Sequence, residues 1–143
     1  MATYIQHKKA NPLVQIGAMK LKYPQFKSKK VGDNIIFIGD LFVKPELPIY
    51  TVSIEYRGNL RPTVKIISPE LVEKPPHTFS DKSLCLYHSS NFKWSAEKLI
   101  AKEIVDWTIT WIYFYEYWLQ EGEWIAPEVP HNTDTKDEQK DTL

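Results

Sequence analysis

Residues 49–57 alternate without a break: Tyr50, Val52, Ile54 and Tyr56 fall on one face, Thr51, Ser53 and Glu55 on the other. A period of two marks a strand with one face toward a core and one toward water. Such a strand needs strand neighbours and a covering layer, so it constrains the fold more than any other segment. Residues 34–43, rich in Ile, Phe and Val, and residues 63–67, with Val64 and Ile66 on one face, supply the neighbours. Pro45 and Pro48 punctuate the first connection, and Gly58, Asn59 and Pro62 the second. Joins this short predict an antiparallel meander of three strands.

The covering layer is predicted as a long helix that starts near Ser95, with Ser95 as N-cap and Glu97 in its first turn, and runs to about Gln120 before Gly122. Leu99, Ile100, Ile104, Trp107, Trp111, Phe114, Tyr115 and Trp118 form its apolar stripe. Lys102, Glu103, Asp106 and Glu116 interrupt that stripe, which excludes a membrane span. A shorter helix is expected over residues 11–22, with Asn11 as N-cap, Pro12 in the first position, Leu13, Ile16 and Met19 or Lys20 at helical spacing, and Pro24 beyond its end. Between sheet and long helix, residues 68–94 carry little periodicity. The order (helix, meander, irregular crossing, aromatic helix) is an α+β layout. A chain of 143 residues suffices for one domain with a real core. That domain is expected over residues 1–126, followed by a polar, acidic and disordered tail over 127–143.

Eighteen basic residues balance eighteen acidic ones, which argues against a general nucleic-acid binder. The balance hides an asymmetry, because seven lysines precede the first acid, Asp33. Among them Lys20, Lys22, Lys27, Lys29 and Lys30 form a candidate partner-docking face. No apolar run approaches the ~20 residues of a membrane span, and the first residues lack a signal-peptide core. A soluble, cytoplasmic protein is therefore expected.

Cys85 is the chain's one cysteine. It excludes an intrachain disulfide and a multi-cysteine zinc module. His88 follows three residues later, but one cysteine and scattered histidines make a poor metal set, so neither metal nor cofactor is expected. A lone cysteine between leucines is either a small buried hydrophobe or a nucleophile, and its immediate neighbours leave both readings open.

Residues 75–94 read PPHTFSDKSLCLYHSSNFKW. Asp40-Leu41 and Tyr50 precede them, and Tyr115-Glu116-Tyr117-Trp118 and Gly122-Glu123-Trp124 follow. On these residues the chain resembles the ubiquitin-conjugating-enzyme (UBC) fold, in the divergent bacterial form found in anti-phage CBASS operons. The resemblance implies a thioester relay with Cys85 as carrier: the C-terminus of a donor protein is held on the sulfur and passed to the amine of a lysine-bearing acceptor. Eukaryotic members carry a His-Pro-Asn triplet whose Asn lies eight residues before the cysteine. Here Pro75, Pro76 and His77 stand at those offsets, and His77 takes the Asn position as a candidate oxyanion donor or base. Tyr87 and His88 are expected at the cysteine's rim, with Asp81 as a turn residue nearby. His131 follows Trp124 in a pattern shared with the bacterial relatives and is a further rim candidate. The implied donor is a cGAS/DncV-like nucleotidyltransferase. With five glycines and no G-x-G-x-x-G, activation is expected from a separate activating enzyme or by another route. Two other classes compete: a non-catalytic UBC-like adaptor that docks partner proteins, and a Cys-His hydrolase.

Overall fold

A computed structural model describes residues 11–125. The first helix, α1 (Pro12–Lys22), begins where a side chain and a proline together fit a helix N-terminus: Asn11 Oδ1 accepts the Val14 N–H at 3.4 Å, and Pro12 fills the first helical position. Its buried residues are Gln15 and Met19. Leu13, expected on the inner stripe, is instead 77% exposed. The helix is rotated so that an amide, not a leucine, faces the core.

Four strands follow, not three: β1 (Lys27–Val31), β2 (Asn34–Leu41), β3 (Tyr50–Arg57) and β4 (Leu60–Ser68). They form one antiparallel meander in the order β1-β2-β3-β4. Val31 pairs with Asn34 across a two-residue turn in which Gly32 takes φ +63°, a conformation a glycine adopts without steric cost. The unforeseen strand, KSKKV, is exposed at every position; an edge strand packed on neither face carries no alternation to read. The last strand starts at Leu60, earlier than expected, and includes Pro62, which an edge strand tolerates because one side of its ladder is unpaired.

The inner face carries Ile35, Phe37 and Leu41 from β2, Tyr50, Val52, Ile54 and Tyr56 from β3, and Val64 from β4, all buried. Gly39 lies beneath Phe26: a Cβ there would sit 2.6 Å from the ring, so the missing side chain lets Phe26 close that end of the core.

Covering this face is α2 (Val105–Glu121), preceded by a π-helical turn over Ile100–Ile104. The helix thus begins later than Ser95. Leu99 is extended (φ −95°, ψ 128°), and three distant side chains hold the chain before it. Tyr56 Oη donates to the Ala96 carbonyl at 3.0 Å, and Asn59 Oδ1 accepts the Ala96 N–H at 2.7 Å. Gln15, 2% exposed, does the most: its Nε2 donates to the carbonyls of Ala96 (3.4 Å) and Lys98 (2.7 Å), and its Oε1 accepts the Ile100 N–H (2.9 Å). The Lys98 carbonyl and the Ile100 N–H would otherwise need partners as the helix starts, while the Ala96 carbonyl is shared between Gln15 and Tyr56. Val105, Thr108, Trp111, Ile112 and Tyr115 form the buried side of α2. The helix ends at Gly122, whose φ of +81° and N–H bond to the Trp118 carbonyl (2.8 Å) form a left-handed cap. Among the described residues no helix is long and apolar enough to cross a membrane. The acidic tail over 127–143, His131 and the first lysines fall outside residues 11–125.

Candidate active site

The crossing between β4 and α2 is less irregular than its sequence suggests. Leu84 is 4% exposed, and its N–H bonds to the Val64 carbonyl at 2.8 Å, tying the crossing to β4. Thr78 and Leu84 form an antiparallel bridge, flanked by Phe79 N–H to Ser83 O (2.8 Å) and Cys85 N–H to His77 O (2.9 Å). The segment is a small hairpin. Its geometry accounts for the eight-residue offset, because residues 77 and 85 are cross-strand neighbours.

Asp81 sits at the hairpin tip. Its Oδ1 accepts from the Ser83 hydroxyl at 2.6 Å and the Ser83 N–H at 2.9 Å, and these bonds hold its carboxyl below the ordinary carboxylate range. It closes the turn that sets His77 across from Cys85.

His77 takes φ +53°, left-handed backbone that costs a non-glycine residue energy. Two donors pin its carbonyl: the Cys85 N–H, and the Trp111 indole Nε1–H at 3.0 Å. Its imidazole lies against the Trp124 ring, with centroids 4.6 Å apart and planes at 37°. Trp124 in turn contacts Trp111 (5.7 Å) and Phe114 (5.9 Å). Neither tryptophan's part could be read locally, since each lies far along the chain from His77.

Cys85 is half-buried, its Sγ 4.0 Å from the Tyr87 carbonyl oxygen. Tyr87 packs edge-on to Phe92 (4.7 Å) and near Trp107 (5.8 Å). Burial, opposed by Arg61 and assisted by nearby Cys85, pushes its phenol up to about 12. Its hydroxyl is buried with no hydrogen-bond partner among the described residues. Arg61 stacks its guanidinium 4.3 Å from the Phe79 ring. His88 is 8% exposed; Nδ1 accepts the Ser90 N–H at 3.0 Å and meets Ser90 Oγ at 2.6 Å. An Nδ1 that accepts a backbone N–H assigns the neutral ring's proton to Nε2, and Nε2 too is buried without a partner among the described residues. Two unsatisfied buried polar atoms thus lie within three residues of the cysteine.

The candidate docking lysines do not join this cluster. Lys20 and Lys22 occupy the last turn of α1, and Lys27, Lys29 and Lys30 lie on β1. The Cys85 hairpin borders β4, the edge of the sheet opposite β1, and three strand spacings, roughly 14 Å, separate those two strands. A groove of about 350 Å³ lined by Lys44, Leu47, Tyr113, Glu116 and Tyr117, among others, lies where the β2–β3 connection meets α2. It contains none of the predicted site residues. Beside it Tyr50 donates its hydroxyl proton to Glu116, and burial together with that bond holds the Tyr50 phenol far above its usual range. Among the described residues, no three His, Cys, Asp or Glu side chains cluster to hold a metal ion.

A family model described as type II CBASS E2 protein matches residues 15–132. No curated protein matches the chain.

Proposed function

The chain belongs to the type II CBASS E2 proteins, and from that membership we propose that it is a UBC-like conjugating enzyme with Cys85 as thioester carrier. In the first step the Cys85 thiolate attacks the activated C-terminal carbonyl of the donor. A C–S bond forms, the bond to the activating group breaks, and the thiol proton goes to the departing group. In the second step a neutral lysine amine attacks the thioester. The C–N bond forms, the C–S bond breaks, and the proton released by nitrogen returns to sulfur. Sulfur's intrinsic nucleophilicity serves the first step. The second needs its tetrahedral oxyanion stabilised, an interaction for which removal of one donor costs roughly 3–4 kcal/mol in other enzymes. His77 is the donor in this reading.

The observation that carries the reading is the 2.9 Å bond from Cys85 N–H to the His77 carbonyl, which makes His77 the residue directly across the hairpin from Cys85. Family membership supports partners within a CBASS system: a cGAS/DncV-like nucleotidyltransferase as donor, a separate activating enzyme, and a lysine-bearing acceptor. Tyr87 and His88 line the rim, and Lys20, Lys22, Lys27, Lys29 and Lys30 serve protein docking on the far edge.

The test is incubation with the nucleotidyltransferase and its activating enzyme, followed by a non-reducing gel. The reading expects a thiol-sensitive adduct that Cys85→Ala abolishes; an adduct that survives Cys85→Ala defeats it. A complex without a covalent bond would indicate the adaptor, and a cleaved donor the hydrolase. His77→Ala should still load the donor but slow transfer to lysine, whereas equal loss of both steps would remove the oxyanion assignment.

A further inference from the structure

We infer that Trp124 is a positioning residue for His77, fixing the imidazole in the orientation that transfer from Cys85 requires; this rests on the thioester reading above. His77 is itself exposed, and its ring lies against Trp124. A preorganised donor is worth far more than a mobile one, because it needs no reordering when charge develops. Contacts from α2 and its cap contribute that order. Trp111 fixes the His77 backbone through the indole N–H on its carbonyl, and Trp124 covers the ring at 4.6 Å. Trp124 reaches it because Gly122 reverses the chain in left-handed backbone, and because Trp111 and Phe114 buttress the indole from the helix side.

The strained φ at His77 supports this reading. Left-handed backbone at a non-glycine residue persists where the surroundings over-determine it, and here two hydrogen bonds and a ring contact converge on one residue.

The experiment has two independent readouts on the full chain. The first is the His77 imidazole ¹H shift by NMR, which the ring current of an indole 4.6 Å away displaces. Trp124→Ala should return it toward the ordinary position, and Trp124→Phe should retain most of the displacement. The second is single-turnover chemistry: Cys85 is loaded from a short peptide thioester and discharged with free lysine. Trp124→Ala should load normally but discharge about 10- to 100-fold more slowly, the scale of a small misplacement of a catalytic group. Trp124→Phe should recover most of the rate. A Trp124→Ala protein that loses the NMR displacement yet discharges at the wild-type rate overturns the proposal, as does an unchanged NMR shift. Equal loss of loading and discharge without rescue by phenylalanine also overturns it, assigning Trp124 to stability alone. Failure of the wild type to load would remove the parent reading, and the positioning role with it; that outcome is distinct because it precedes any variant.

Discussion

Gln15 and His77 each fasten a loop to the helical layer, and they do so in opposite ways. Gln15 is 2% exposed, and its amide meets three backbone groups that lack other helical partners. His77 is exposed, sits in left-handed backbone, and neighbours a segment in which Tyr87 Oη and His88 Nε2 are buried without partners among the described residues. One joint satisfies every local rule; the other breaks several within a dozen residues. Proteins tolerate such violations mainly where something other than stability is selected. The contrast marks the hairpin, and not the equally nonlocal Gln15 contact, as the place where chemistry is expected.

The largest effect should come from breaking the satisfied joint. Gln15→Leu keeps the volume but strands the Lys98 carbonyl and the Ile100 N–H, while Tyr56 still serves the Ala96 carbonyl, and chemical denaturation should register a loss of roughly 2–4 kcal/mol. No comparable loss would mean that water enters and replaces the amide. At the strained joint, His77→Val places a β-branched residue at φ +53° and should cost about 1–3 kcal/mol. His77→Asn, which tolerates that backbone and keeps an N–H donor, should hold its melting temperature and part of the transfer rate. If asparagine and valine melt alike, the left-handed backbone is not a constraint there. The smallest effect belongs to Tyr87→Phe, which removes a buried hydroxyl without a partner and should leave stability unchanged or raise it by up to ~1 kcal/mol. The same variant should alter the alkaline limb. A phenol raised from 10.0 to about 12 in the folded chain contributes stability below pH 10 that is lost as pH rises from 10 toward 12. The wild type should therefore lose stability over that range more steeply than Tyr87→Phe, and parallel curves would contradict the burial of the hydroxyl.

Much of the sheet was legible because burial imposes a period. Tyr50, Val52, Ile54 and Tyr56 alternate in the chain and are all fully buried. β1 was not legible, since nothing packs on Lys27–Val31 to impose a pattern. The aromatic stripe gave α2, but its start was hidden: the residue that completes it, Gln15, comes from the other end of the domain. At the candidate site Cys85 and His77 were reached through resemblance, and the hairpin supplies the physical meaning of their offset. The parts of Trp111 and Trp124 were hidden for the same reason as Gln15's. An aromatic beside an apolar stripe reads as core, and only the fold reveals that one donates an indole N–H and the other lies tilted against an imidazole.

The lysine-rich strand carries a consequence for how copies of the chain coexist at high concentration. Equal numbers of acidic and basic residues leave almost no long-range colloidal repulsion between molecules. β1 nevertheless ends the sheet with an outer row of backbone groups that no other described strand pairs, the template from which edge-to-edge fibre growth begins. Three ammonium groups among its five residues supply at that edge the repulsion that the molecule as a whole lacks. Dispersal is thus a local property of one strand, and neutralising those few charges would remove it without disturbing the core.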